Sequence, residues 1–368
     1  MIEIPDLSGA PKLKQLILRH CTRLYKIHSS LGSLKQLIQL DLNGCKCLKN
    51  LPHKVSLEAL EIFDLGGCSR LKKFPEIVGN MSCLSKLCLS ETTINELPFS
   101  AEYLTGLIRL DLRNCKNLIS LPNAYCCLIS LKILNLSGCS KLNELPKNLG
   151  NIKGLEELDI SGTTITNLPS SVVHLKNLRV LSLRGCVGLL SKSSNMLLSF
   201  PLMQPRSNLD LMGMLQGLCS LTNLNLSYCN LQTIPNVLGC LSSLRVLRLS
   251  GNNFVCLPES IVQLSKLESL FLGGCTQLQM CPKLPLNITH LDARGCTSLE
   301  TLSLRPEYDF QPYLNLLNCD KLIKNQCYSD LLSTMLRRYI IKVSLSHSLS
   351  LPPSLSLSLS LSLLHEKF

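Results

Sequence analysis

The pattern Leu-x-x-Leu-x-Leu-x-x-Cys-x-x-Leu returns about every 23 or 24 residues along this chain. A period of that length is one supersecondary unit copied end to end, which restricts the chain to a stacked architecture. The clearest copies are Leu13/Leu16/Leu18/Cys21/Leu24, Leu37/Leu40/Leu42/Cys45/Leu48, Leu107/Leu110/Leu112/Cys115/Leu118, Leu131/Leu134/Leu136/Cys139/Leu142 and Leu267/Leu270/Leu272/Cys275/Leu278. With the Cys position as a ruler, the copies fall at Cys21, Cys45, Cys68, Thr92, Cys115, Cys139, Thr163, Cys186, Cys229, Asn252, Cys275, Cys296 and, in degraded form, Cys319. The one irregular step is the 43 residues from Cys186 to Cys229.

In each copy the Leu-x-Leu pair reads as a strand, because alternate side chains of a strand face opposite ways and both leucines therefore point to one interior. No single coil can enclose its own core. Each contributes about five or six aliphatic side chains, worth roughly 1.5 to 3 kcal/mol apiece on full burial, and buries them only against its neighbours. The expected fold is an α/β leucine-rich-repeat solenoid, a horseshoe with a parallel β-sheet on the concave face and short helical, 3-10 or irregular convex segments. About thirteen coils at strand spacing give a sheet on the order of 55 to 60 Å long.

After each strand the chain turns inward, and its buried backbone groups need partners. A small residue fits there: Asn252 offers an amide, Thr92 and Thr163 a hydroxyl, and the cysteines a compact side chain with a weak donor. The return side is punctuated by Leu51-Pro52, Phe74-Pro75, Leu97-Pro98, Leu121-Pro122, Leu145-Pro146, Leu168-Pro169, Ile234-Pro235, Leu257-Pro258 and Cys281-Pro282. Proline fixes φ and cannot donate to a ladder, so short helical or 3-10 turns are expected after it, as at 170–173 and 259–262.

Hydrophobic residues make up 45% of the chain but aromatic ones only 4%, with no Trp, as a core of repeated leucine requires. Ten of the twenty cysteines sit at the ruler position, where Thr and Asn substitute, so they read as reduced core residues rather than a disulfide framework. The start lacks the basic and apolar segments of a signal peptide. Of the four sequons, Asn80, Asn135, Asn225 and Asn287, two arise simply because the strand reads Leu-Asn-Leu-Ser. A cytoplasmic location is expected. Cys45-Lys46-Cys47 and Cys126-Cys127 lack a second pair or a His at ligand spacing, so no metal is expected.

The opening from Ile4-Pro5-Asp6-Leu7 to Cys21-Thr22-Arg23-Leu24, the Leu-Ser-Gly-Cys-Ser-Lys-Leu stretch at 136–142 and the Leu-Pro punctuation resemble plant disease-resistance proteins. More narrowly, they resemble the repeat region of the Toll/interleukin-1-receptor type of nucleotide-binding immune receptor, over roughly residues 1–342. The stretch 211–231 and Leu317-Asn318-Cys319-Asp320-Lys321-Leu322 are similar to later parts of the same region. This resemblance implies a protein ligand, either a pathogen effector or a guarded host protein. It also implies contact with nucleotide-binding and signalling domains that this chain lacks. No Gly-x-x-x-x-Gly-Lys-Ser/Thr loop occurs, so nucleotide binding does not carry over and no cofactor is expected. The chain reads as a fragment or truncated relative of a larger receptor.

Three segments are expected: a solenoid over 1–322 with an insertion near 190–220, a capping helix over 323–342, and a Ser/Leu low-complexity tail over 343–368. The tail is too rich in hydroxyls for a membrane span and reads as disordered or aggregation-prone.

Function then falls to the outward strand positions lining the inner curve. One column runs Ile17, Asp41, Asp64, Cys88, Asp111, Asn135, Asp159, Ser182, Asn225, Arg248, Phe271 and Asp292. The next holds Arg19, Asn43, Ser90, Arg113, Ser137, Arg184, Ser250 and Arg294. The candidate partner-binding residues are Arg19, Asp41, Asp64, Arg109, Asp111, Arg113, Asp159, Arg184, Arg248, Phe271, Asp292 and Arg294. Interleaved acid and base suits a protein partner. The net charge of +12 invites a nucleic-acid reading, but phosphate binding needs a basic stripe free of aspartates, and neither nucleic acid nor membrane is expected as partner. The expectation is a non-catalytic recognition module of an intracellular immune receptor. An extracellular receptor-like repeat protein is the alternative, although that class carries Asn-rich strand ends and Gly-x-Ile-Pro returns. An enzymatic reading, such as a ubiquitin ligase, needs an appended domain for which no non-repeat segment is long enough.

Overall fold

The computed structural model describes residues 2–189, 211–303 and 313–324. One sheet of thirteen parallel strands runs through it in sequence order. Its strands are Gln15–Ile17, Gln39–Asp41, Ile62–Asp64, Lys86–Cys88, Arg109–Asp111, Ile133–Asn135, Glu157–Asp159, Val180–Ser182, Asn223–Asn225, Val246–Arg248, Ser269–Phe271, His290–Asp292 and Tyr313–Asn315. Each ruler position is preceded by one of these strands. Register follows the leucines without slippage: Leu110 pairs with Leu134, Leu134 with Leu158 and Leu158 with Leu181.

The sequence alternation accounts for the sheet directly. The central residue of each inner strand, leucine everywhere but Phe63, is buried, as are the apolar residue two positions on and the one before the strand; Leu107, Leu110 and Leu112 are all fully buried. In the first coil Leu13, Leu16, Leu18 and Cys21 are only half-buried, because apolar neighbours cover them from one side.

On the return side the expected 3-10 turn follows most of the prolines; after Pro52 and Pro75 the short strands Lys54–Val55 and Glu76–Ile77 pair with each other instead. Segments Asn123–Cys127, Ser170–His174, Asn236–Cys240 and Glu259–Gln263 are 3-10 helices that follow Pro122, Pro169, Pro235 and Pro258. In each, the proline carbonyl accepts the first bond, from the N–H of Tyr125, Val172, Leu238 and Ile261 respectively. Proline loses nothing here, since its absent N–H has no partner to satisfy. Elsewhere the return side forms two-residue parallel pairs, Glu3–Ile4 with Lys26–Ile27, Lys54–Val55 with Glu76–Ile77, and Met280–Cys281 with Thr301–Leu302.

At the long step the ladder is unbroken: Val180 to Ser182 pairs directly with Asn223 to Asn225. Within the expected insertion, Leu211–Leu215 is a short α-helix, and Met214, Leu215 and Leu218 are buried, so 211–220 lies in the stack; residues 190–210 lie outside the described residues. The chain divides into compact units of residues 1–321 and 322–368. Of the second, only 322–324 are described, as the end of the helix Asp320–Lys324. The rest of the expected capping helix and the Ser/Leu tail lie outside the described residues.

Candidate recognition face

The residue after each buried strand leucine projects from the sheet face. Pairing aligns Ile17, Asp41, Asp64, Cys88, Asp111, Asn135, Asp159, Ser182, Asn225, Arg248, Phe271 and Asp292 on consecutive coils, and continues to Asn315. Arg109 belongs to the column on the other side of the leucines, with Gln39, Ile133, His290 and Tyr313.

The acidic column has a duty inside the fold. Where the strand ends, the N–H two residues further on has no ladder partner, and the side-chain oxygen of Asp or Asn takes it. Asp41 accepts from Asn43 at 3.2 Å, Asp64 from Gly66 at 2.9 Å, Asp111 from Arg113 at 3.1 Å, Asp159 from Ser161 at 2.9 Å and Asp292 from Arg294 at 3.2 Å. Asn135, Asn225 and Asn315 do the same. This is the Asx turn, for which short polar carbonyl side chains are suited.

The second carboxylate oxygen is then available to a base. Arg19 Nε bonds Asp41 Oδ2 at 2.5 Å, Arg294 lies 3.2 Å from Asp292, and Arg109 lies 3.8 Å from Asp111. In consequence Asp41, Asp111 and Asp292 are buried while their arginines stay exposed. Asn43 Nδ2 reaches Asp64 at 3.2 Å. Much of the charge predicted for the face is thus internally matched. Arg113 and Arg184 are exposed, and among the described residues neither has an ion pair.

Toward the C-terminal coils the face changes character. The Arg248 guanidinium lies 4.7 Å over the ring of Phe271, Phe271 is 5.1 Å from His290, and His290 stacks on Tyr313 at 4.8 Å and 6°. His290, Tyr313 and Tyr228, whose ring carries the Arg184 guanidinium at 4.8 Å, were not among the sequence candidates. The first two precede the buried leucine rather than follow it. Listing both outward positions of each strand would have found them.

Behind the face, the ruler residues behave as the inward turn demands. Each thiol reaches the preceding coil: Cys45 Sγ donates to the Leu18 carbonyl, Cys68 to Leu42, Cys115 to Leu89 and Cys139 to Leu112, at 3.1 to 3.2 Å. Thr92 and Thr163 instead donate to carbonyls of their own coil, Leu89 and Ile160. Burial pushes the thiols up, to about 11 in Cys45, Cys229 and Cys275 and about 12 in Cys68 and Cys139. Among the described residues no group of three or more His, Cys, Asp or Glu is placed to hold a metal ion, and no helix is long and apolar enough to cross a membrane.

Three family models match successive parts of the chain: a disease resistance protein RPS4B-like leucine-rich-repeat model over 56–145, a leucine-rich repeat region over 110–224, and a leucine-rich repeat over 219–278. TMV resistance protein N of Nicotiana glutinosa is 40% identical over 293 residues, covering 78% of this chain and 24% of that protein. Disease resistance-like protein DSC1 of Arabidopsis thaliana is 39% identical, covering 81% and 23%. The chain therefore spans about a quarter of the length of the curated relatives it matches. Among solved structures, YopM from Yersinia enterocolitica aligns at 19% identity and a TM-score of 0.48, over 86% of this chain and 62% of that one.

Proposed function

Because the chain belongs to the leucine-rich repeats of plant disease-resistance proteins, we propose that it is the non-catalytic recognition module of an intracellular immune receptor. Its ligand in this reading is a pathogen effector or a guarded host protein, and binding is passed to attached nucleotide-binding and signalling domains. The observation that carries the reading is the register-locked face: thirteen strands present aligned outward side chains, some capping the strand ends and the others left free by the core. Such a surface can vary its chemistry coil by coil while the scaffold stays fixed.

The contact residues in this reading are the twelve named from the sequence, joined by Tyr228, His290 and Tyr313. Aromatic and arginine side chains are the usual anchors of protein interfaces, which favours the segment from Arg248 to Tyr313 as a centre of binding energy. A cytoplasmic setting is supported by the thiol-to-carbonyl bonds of the ladder, which require free S–H groups. The Cys-type coils and the disease-resistance relatives favour this reading over the extracellular one. Signalling follows if the ligand binds one arrangement of the attached domains better than another, since only differential affinity shifts such an equilibrium.

The test is D111N, R113E and D159N together, in a receptor reconstituted with its ligand, because Asn keeps the cap that Asp111 and Asp159 provide. Recognition should fall by about tenfold or more at unchanged protein level; an unchanged response would show that this face does not read the ligand.

A further inference from the structure

Within that reading, we propose that Arg113 and Arg184 form a two-point anchor for an extended acidic segment of the protein partner, its carboxylates about four residues apart. Asp111, Asn135, Asp159 and Ser182 are aligned by strand pairing, so Arg113, Ser137, Ser161 and Arg184, two residues further on, stand in line on four consecutive coils. Three strand spacings separate the two backbone positions, about 14 Å, and an extended peptide covers that distance in about four residues.

Charge singles out this pair. Arg19, Arg109 and Arg294 lie beside aspartates, and Arg245 pairs with Glu268. Arg113 and Arg184 have no such partner among the described residues, and Arg184 is held in place by stacking on Tyr228 at 4.8 Å. Tyr228 adopts φ 60° at a position where Gly stands in eight of the coils. The Tyr228 ring lies where a side chain on Gly251 would have to go, so it is seated on the next coil. In the same column, the Ser137 and Ser161 side chains stand between the two cations, and they line an open trough with Arg113, Asn114, Arg184 and Tyr228.

The neighbouring column decides the class of partner. Asp159 lies between the two arginines, so the surface reads positive, negative, positive along the trough. A polyanion of unbroken charge meets that aspartate, whereas two separated carboxylates straddle it and each can take a forked pair of bonds from a guanidinium.

The test is fluorescence anisotropy on the full chain, with labelled twelve-residue Ser/Gly peptides carrying two Glu placed two, four or six positions apart. The four-position peptide should bind at least about fivefold more tightly than the other two, and R113Q or R184Q should abolish that preference. Y228A should weaken it, and melting temperatures of R113Q and R184Q should be unchanged because those two side chains are exposed. Equal affinity across spacings, unaltered binding in R113Q and R184Q, or tighter binding of inorganic polyphosphate or a single-stranded oligonucleotide would each overturn the proposal. Peptide binding is read without any signalling domain. If it fails while the triple change at Asp111, Arg113 and Asp159 still silences the receptor, the anchor is refuted and the recognition face stands; if both leave their readouts unmoved, both fall.

Discussion

Asn252 shows how much one side chain does at the inward turn. Its Oδ1 accepts from the N–H groups of Cys229 and Leu231, each at 3.1 Å, and its Nδ2 donates to the carbonyls of Leu226 at 2.9 Å and Leu249 at 2.7 Å. Four buried backbone groups from two coils bond to it, and of them only the Leu249 carbonyl has a second donor, the Cys275 thiol at 3.3 Å. Replacement by leucine strands the other three at about 1 to 3 kcal/mol each before relaxation, so Asn252→Leu should lower stability by roughly 3 kcal/mol or more in a urea titration. Asn252→Cys installs the residue most other coils use there, whose thiol bonds one carbonyl, and should recover part of the loss. If the two variants melt together, the amide network is not what holds this turn. A capping duty of the same kind was concealed in the sequence at Asp41, Asp111 and Asp292. Their alternation with arginine reads as a ligand surface, yet an aspartate that ends a strand also caps the N–H two residues on. The Asx signal is present in the sequence, but type and spacing alone do not say whether the remaining oxygen faces an arginine or a partner.

The coil is the element of this fold, and its worth depends on having two neighbours. Leu134 is flanked by Leu110 and Leu158 and is 1% exposed, while Leu16 pairs with Leu40 alone and is half-buried. Truncating a fully buried leucine typically costs 2 to 5 kcal/mol. Leu134→Ala should therefore cost about 3 kcal/mol or more, and Leu16→Ala less than half as much, measured by chemical denaturation. Equal penalties would mean that the coils do not stabilise each other by stacking. At this scale the sequence was most legible: the Leu-x-Leu spacing states the strand and its register, and the Leu-Pro punctuation states most of the 3-10 returns, while after Pro52 and Pro75 neighbouring returns pair as strands instead. The aromatic row was harder to see. Phe271, His290 and Tyr313 come from two different outward columns, and only the packing of adjacent strands brings their rings together.

Across the whole molecule, the ladder thiols impose a shared dependence on pH. Burial raises Cys45, Cys229 and Cys275 to about 11 and Cys68 and Cys139 to about 12, from an ordinary value of 9.0. A raised thiol favours the neutral form in the folded state, so its contribution is intact below about pH 9 and is lost as pH climbs through 11 to 12. Melting temperature should hold steady from pH 7 to pH 8.5 and fall steeply above about pH 9.5. Over the same rise, N-ethylmaleimide should label exposed Cys83, Cys127 and Cys256 first and the ladder cysteines only as the stack opens. Ladder cysteines that label at pH 8 at the rate of Cys83 would contradict the burial described.

The direct pairing of Val180 with Asn223 across a 43-residue step has a mechanical corollary. A chain pulled from its two ends surrenders coils one after another, each release paying out about 23 residues, or roughly 80 Å of contour at full extension. One release alone is nearly twice as long, a built-in mark by which an observer watching the trace could tell how far the unravelling had travelled.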